Sequence, residues 1–122
     1  MNLTSIIISR LREAGIRAFL PGAHEGICIS PYCVVQLYSG TLSTPRGGYA
    51  RYRVHIYAPA NQSELLEPLA DDVRAALLSL EQGGSFQLAQ PRGATVTEDA
   101  YRAVSSYIDY VSYYSEMKGS TT

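Results

Sequence analysis

The chain has 122 residues, of which 46% are hydrophobic and 17% are charged, and its formal net charge is −1. These values predict one soluble globular domain with a core of its own and argue against bulk attraction to nucleic acid or anionic membranes. No apolar run approaches the roughly 20 residues that cross a bilayer, and two cysteines are too few for a disulfide framework.

The first predicted element is an amphipathic helix that Asn2 or Thr4 caps and Gly15 ends. Its apolar stripe at helical spacing consists of Leu3, Ile7, Leu11 and Ala14. The connector that follows, residues 16–26, contains Pro and Gly turn signals. We therefore expect at most a short strand there, at residues 17–20.

Two strands are predicted next. Residues 32–38 are apolar on both faces, which is typical of a central strand in a sheet that is covered on both sides. Residues 49–58 alternate between a face with Tyr52, Val54 and Ile56 and a face with Arg51, Arg53 and His55. The link between the strands, residues 39–48, is too long for a tight hairpin turn and has the composition of a flexible tip.

A second helix is predicted after the two strands, and Gly83 ends it. Its apolar stripe consists of Leu66, Leu69, Val73, Leu77 and Leu80. Asn61 followed by Glu64 resembles a capping box. Pro68 conflicts with a helix that runs straight from Asn61, because proline removes an N–H donor. Either the first turn is separate and the main helix begins near Pro68, or the helix is kinked, and we favour the separate turn.

The last third contains a short predicted strand at residues 85–89, a turn at 91–93 and a tyrosine-rich segment at 101–114. Some apolar positions of this segment also fit helical spacing, but Tyr, Val, Ile and Ser favour a strand. A small domain has little internal use for so long an aromatic strand, and Tyr suits interfaces. We therefore expect it to contact sister copies through a face or an edge. Ser105-Ser106 is a candidate for a bulge, and residues 116–122 are a predicted flexible tail.

The predicted element order is α-β-β-α-β-β, in a single domain of residues 1–122. This order predicts an α+β fold with a mainly antiparallel sheet of about four strands and two helices packed on one face. The other face, which includes Arg51, Arg53 and His55, is left for water or for a partner.

Catalytic and metal-binding chemistry has little support in the sequence. His24, Cys28, Cys33 and His55 are the set that most resembles metal ligands, but their spacing matches no common zinc pattern. We interpret the two cysteines as buried thiols rather than as ligands or a disulfide. Because no nucleophile–base motif or Walker loop stands out, we predict a protein that is not an enzyme and binds no metal or cofactor.

A small soluble nucleic-acid- or ligand-binding module is the alternative hypothesis. Arg51, Arg53 and His55 lie on one strand face beside Tyr49 and Tyr57, and basic residues interleaved with aromatics suit a single-strand binder. Against this, the net charge is slightly negative and no RNP-like or GXXG motif is present. A solvated strand face or a protein interface explains the same residues more simply.

The layout resembles the tail-terminator (tail-completion) proteins of long-tailed bacteriophages. The resemblance covers most of the chain and rests on the helix–hairpin–helix–hairpin order, the polar opening of the second helix at residues 61–64, and the ending TEDAYRAVSSYIDYVSYY at residues 97–114. It implies a structural virion protein whose copies form a six-membered ring. The ring would terminate the tail tube and join it to the head–tail connector or stopper.

The resemblance also implies partners and sites. The partners are sister copies, the tail tube protein, the connector or stopper protein, and DNA that passes through the ring without sequence-specific binding, with no membrane involved. The implied location is the tail or neck of the virion, after assembly in the host cytoplasm. The implied subunit interface consists of Arg51, Arg53, His55, Glu98, Asp99, Tyr101, Tyr107, Tyr110 and Tyr113. The implied loop that docks onto the next ring consists of Gly40, Thr41, Leu42, Thr44, Pro45, Arg46, Gly47 and Gly48.

Overall fold

Two α-helices and a six-stranded sheet make up the part of the chain that the computed structural model describes, residues 2–23, 26–39 and 48–114. The helices are α1 (Leu3–Glu13) and α2 (Leu66–Glu81). The strands are β1 (Ala18–Phe19), β2 (Tyr32–Ser39), β3 (Gly48–Pro59), β4 (Phe86–Gln90), β5 (Val96–Glu98) and β6 (Ala103–Tyr114). The α+β class and the two helices are confirmed. Neither of the described helices is long and apolar enough to cross a membrane.

The strand count and the element order were predicted only in part. The strands lie in the order β1-β2-β3-β6-β4, with β5 beside β6. β1 runs parallel to β2 and the other described pairs are antiparallel, so the sheet is mixed. β1 lies within the short strand expected at residues 17–20. β5 was not predicted, because a strand of three residues is too short to show an alternating pattern.

The tyrosine-rich strand β6 is extended, as predicted, but it lies inside the sheet. It pairs with β3 without interruption from Gly48↔Tyr114 to Pro59↔Ala103, and its other edge pairs with β4 and β5. Of the two expected routes of contact with sister copies, a face or an edge, the edge is therefore excluded, because the chain itself pairs both edges of β6. The pairing with β3 shows no bulge at Ser105-Ser106. Irregularities lie instead between Leu88 and Gln90 of β4 and between Leu37 and Ser39 of β2.

Helix α1 begins and ends as its sequence predicts. The Asn2 Oδ1 atom accepts a hydrogen bond of 2.8 Å from the Ser5 backbone N–H, and Gly15 follows the helix with a φ of +84°. Ile7 and Leu11 are fully buried. Ile8 completes the buried stripe in place of Ala14, since Ala14 is already the exposed C-cap residue.

Helix α2 is preceded by a separate 3₁₀ turn, Ala60–Leu65, which confirms the favoured interpretation of Pro68. Pro68 lies in the first turn of α2, where an N–H has no acceptor within the helix. The predicted capping box is wrong, because Asn61 and Glu64 both lie inside the 3₁₀ turn. No side-chain hydrogen bond caps the start of the 3₁₀ turn or the start of α2. The buried stripe of α2 includes Leu66, Leu69, Val73 and Leu77.

The core lies between both helices and one face of the sheet, which we call the helix face. Val54 and Ile56 of β3 and Ile108 of β6 are fully buried there, with the apolar stripes of α1 and α2 packed against them. Because side chains alternate along a strand, the intervening residues point to the opposite face. The predicted packing of two helices on one face is confirmed.

Candidate functional site

The side of the sheet away from the helices, which we call the open face, carries most of the predicted site residues. It is formed by alternate residues of β2, β3 and β6, since residues opposite one another in a ladder share a face. Its residues are Tyr32, Val34, Gln36, Tyr38, Tyr49, Arg51, Arg53, His55, Tyr57, Ser105, Tyr107, Asp109, Val111 and Tyr113. The alternation of residues 49–58 predicted this face correctly.

A buried carboxylate lies at the centre of the open face. Asp109 stands directly opposite Arg53 in the β3–β6 ladder, and its side chain is 1% exposed. The Arg53 Nε and Nη2 atoms donate hydrogen bonds of 2.8 and 3.0 Å to the two oxygens of Asp109. This two-bond geometry is the strong form of an arginine–carboxylate pair. The pair therefore satisfies the buried charge of Asp109 within the chain.

Two tyrosine rings enclose the Arg53 guanidinium. Its central carbon lies 3.7 Å from the ring centroid of Tyr38 on β2 and 3.7 Å from that of Tyr107 on β6. Planar arginine stacks well on aromatic faces. The hydrogen bonds to Asp109 raise the pKa of Arg53, so the guanidinium stays charged. These contacts tie three adjacent strands together at one level of the sheet.

Arg51 is the half-exposed cation of the open face. Its Nη2 atom lies 3.7 Å from the Asp109 Oδ2 atom, and its side chain is 39% exposed. Its Nε atom is buried and has no hydrogen-bond partner among the described residues. Because Arg53 already satisfies Asp109, this group of two arginines and one aspartate has one positive charge in excess. Arg51 therefore retains donors that no acceptor among the described residues satisfies.

A shallow cleft of about 300 Å³ surrounds Arg51. Tyr49 and Tyr113, which are opposite each other in the ladder, line it together with Val111 and Ala89. Both tyrosines are large exposed apolar residues, and Tyr113 is 51% exposed. An arginine between two exposed tyrosines combines the residue types that dominate the binding energy of protein interfaces.

His55 contributes a neutral group to the open face. Its Nε2 atom donates a hydrogen bond of 2.9 Å to the Gln36 Oε1 atom on β2. Burial, and then the nearby charge of Arg53, lower the pKa of His55 below 6.5. The imidazole is therefore uncharged near pH 7, and it adds no positive charge to those of the two arginines.

One end of the open face is covered by a small aromatic cluster. The Tyr32 and Tyr57 rings stack with centroids 4.7 Å apart, and Phe19 packs edge-on against Tyr32 at 6.0 Å. Cys28 is buried in the same cluster. Burial raises the pKa of Tyr32 to about 12. This end of the sheet is therefore packed, and the exposed tyrosines lie at the end where Tyr49 and Tyr113 pair.

The predicted interface residues divide between three environments. Arg51, Arg53, His55, Tyr107 and Tyr113 share the open face, as the prediction requires. The remaining predicted interface residues lie elsewhere and are Glu98, Asp99, Tyr101 and Tyr110. Three of these four, Glu98, Asp99 and Tyr101, lie before β6, at the end of β5 and in the turn that follows it.

Tyr110 was wrongly predicted at a subunit interface. It is fully buried on the helix face, where its ring stacks on Phe86 with centroids 4.7 Å apart. The error has a simple cause: residues three apart in a strand point to opposite faces, so Tyr107 and Tyr110 cannot share one surface. Burial raises the pKa of Tyr110, and its hydroxyl has no partner among the described residues.

The segment before β6 is a turn rather than the start of the strand. Asp99–Tyr101 form one 3₁₀ turn, and Arg102 after it has a φ of +51°, in the left-handed region. Tyr101 and Asp99 are exposed, while Glu98 accepts a long hydrogen bond of 3.4 Å from the Ser105 hydroxyl. Pairing of Glu98 or Asp99 with an arginine of a neighbouring copy stays a prediction.

The predicted docking loop lies almost entirely outside the described residues. Only Gly48 is described, as the first residue of β3. Of the four residues considered as metal ligands, His24 also lies outside the described residues. Cys28 and Cys33 are free and buried, in two different clusters, which confirms their interpretation as buried thiols. Burial raises the pKa of the Cys33 thiol to about 12.

Sequence reasoning missed Asp109, Tyr38 and Gln36. Asp109 did carry a signal, since a charged residue between Ile108 and Tyr110 in an apolar strand needs a partner. That partner depends on the β3–β6 register, which joins residues 56 positions apart.

Comparison with known proteins adds no further assignment: no family model matches the sequence, and no curated protein is significantly similar to it.

Proposed function

We propose that this chain is a structural assembly protein of the bacteriophage neck and tail. In this proposal its copies form a six-membered ring that terminates the tail tube and joins it to the head–tail connector or stopper. DNA passes through the ring without sequence-specific binding. The protein is assembled in the host cytoplasm and belongs to the finished virion.

The observation that carries this proposal is the exposed part of the open face. Tyr49, Arg51 and Tyr113 surround a shallow cleft, on a rigid sheet that the Arg53–Asp109 pair ties together. Tyrosines lose little conformational entropy on binding, and arginine and tyrosine are enriched at the centres of protein interfaces. A surface of this kind supports association with another protein.

The alternative of a nucleic-acid-binding module has weaker support. A single-strand binder needs free cations along the face. Arg53 is bound to Asp109, and His55 is neutral and bonded to Gln36. Arg51 is the more exposed of the two cations on this face, at 39% against 17% for Arg53. These contacts favour a protein partner.

Light scattering on the purified chain, alone and mixed with the tail tube protein of the same phage, tests the proposal. We expect a discrete oligomer, either alone or with the tube protein. The double substitution Tyr49→Ser, Tyr113→Ser should weaken this association. Leu78→Ser, on the exposed side of α2, is the matched control and should leave it unchanged.

Fluorescence anisotropy with a labelled single-stranded oligonucleotide tests the alternative of a nucleic-acid-binding module. A chain that stays monomeric with the tube protein, but binds the oligonucleotide with an affinity that falls steeply as salt rises, would overturn the proposal and support the alternative.

A further inference from the structure

Among the described residues, no further strand pairs with the outer edges of the two outermost strands, and these edges lie at the same level. Within the described residues, β1 pairs with β2 only at Cys33 and Val34, so residues 35–39 have no strand on their outer side. At the opposite side of the sheet, β4 is the last strand beside residues 109–112 of β6. Unpaired strand edges are ready templates for another strand.

The register places two residues of each edge at matching levels of the sheet, with Ala89 as an extra residue on β4. On the helix face one row of partners runs from Leu37 through Tyr52 and Tyr110 to Leu88. On the open face the adjoining row begins at Gln36 and ends at Gln90, with Arg53 and Asp109 between them. A neighbouring copy placed beside the sheet, with no shift along the strands, would therefore bring leucine to leucine and glutamine to glutamine.

The geometry points to head-to-tail pairing of copies, in which the outer edge of β4 in one copy joins the outer edge of β2 in the next. Strand direction alternates through β2, β3, β6 and β4, so this contact is antiparallel and one sheet continues through the assembly. The inference rests on the proposed self-association and adds a second contact between copies, beside the exposed part of the open face that carries the proposed function. We infer that the partner is a second copy of this chain, because each copy carries both of the edges that pair, one on β2 and one on β4.

The side chains at the two edges are complementary. Leu37 is 52% exposed and Leu88 is half-buried, so pairing removes apolar surface from water on the helix face. On the open face, Gln36 uses its amide oxygen to accept from His55, which leaves its amide N–H groups as donors. Gln90 uses its amide nitrogen to donate to the Arg92 carbonyl oxygen, which leaves its own oxygen as an acceptor.

On the part of this side of the sheet that β1 covers, a side chain occupies a backbone carbonyl oxygen of β1. The Arg12 Nε and Nη2 atoms donate hydrogen bonds of 3.0 and 2.8 Å to the Ala18 carbonyl oxygen. A charged side chain that satisfies the backbone at an edge strand is a device against pairing. No such contact is present along residues 35–39 among the described residues, and the open stretch of edge is therefore short and defined.

The short contact also favours closure into a ring. The bulge between Leu88 and Gln90 limits the regular part of β4 to residues 86–88, so a single pairing is weak. A head-to-tail contact closes into a ring when the rotation between successive copies permits it, and otherwise extends as a filament. In a closed ring each copy makes two contacts, and the second forms within the same assembly.

Cysteine cross-linking under mild oxidation tests the inference. Leu37→Cys and Leu88→Cys are made separately, with Cys28 and Cys33 left in place because both are buried. Within one chain the two positions are three strand spacings apart, about 14 Å, which is too far for a disulfide.

We expect a cross-linked dimer when the two variants are mixed and none from either alone. The double variant should give covalent oligomers on denaturing gels. Leu78→Cys mixed with Leu37→Cys is the control and should not cross-link.

Three results would overturn the inference. An oligomer by light scattering whose mixed variants do not cross-link means that copies associate by another surface, and the proposed function survives. Cross-linking of Leu37→Cys with itself means that copies pair by the same edge, which gives a dimer rather than a ring. A chain that is monomeric alone and with the tube protein refutes both the inference and the proposed function.

Discussion

Asp109→Asn tests the structural basis of the open face. The substitution keeps the shape and one acceptor oxygen but removes the charge that holds Arg53 between the two tyrosine rings. Breaking a fully buried pair costs about 3–5 kcal/mol. Arg53 is 17% exposed and the amide retains one hydrogen bond, so we expect a loss of about 2–3 kcal/mol in the free energy of unfolding. For a chain of this size that loss corresponds to a decrease in Tm of about 8–12 °C.

Urea denaturation followed by circular dichroism measures this loss, and a double-mutant cycle isolates the pair. Arg53→Gln and the double variant complete the cycle, and we expect a coupling energy of about 2 kcal/mol. Asp72→Asn, on the exposed side of α2, is the matched control and should change stability by less than about 0.5 kcal/mol. If Asp109→Asn proves as stable as the control, the pair does not hold the three strands together.

Three further substitutions test single contacts by the same denaturation assay. Tyr110→Phe removes a buried hydroxyl that has no partner among the described residues and should stabilise the chain by about 1 kcal/mol, whereas a clear loss would reveal a hydrogen bond to the hydroxyl. Gly93→Ala would place a Cβ atom against the Tyr107 ring and should cost about 2 kcal/mol, while Gly83→Ala, with its nearest contact at 3.7 Å, should be close to neutral. Stability should fall as the pH drops below about 6.5, since the unfolded chain binds the His55 proton first. His55→Gln should reduce that slope, and an unchanged slope would contradict the assignment.

Much of the fold was predictable from local patterns. Pro68 located the start of α2, because proline tolerates only the first turn of a helix. The alternation of residues 49–58 separated the core residues from the arginines. Side-chain period and composition therefore gave the class, both helices and the face on which the site lies.

The parts that sequence could not give depend on contacts between distant residues. Whether β6 lies at an edge or inside the sheet depends on the positions of β4 and β5, and neither position is encoded in β6 itself. The Arg53–Asp109 pair depends likewise on the ladder between β3 and β6. The assignment of Tyr110 to a surface failed for a different reason, since strand periodicity alone excludes it from the face that carries Tyr107.

Sedimentation velocity of the full chain over a wide concentration range tests the central claim, that copies of this chain assemble with one another. We expect the weight-average mass to rise from that of a single chain to one discrete closed oligomer, with no continuous series of larger species. A single-chain mass at every concentration, unchanged when the tail tube protein is added, would contradict the account.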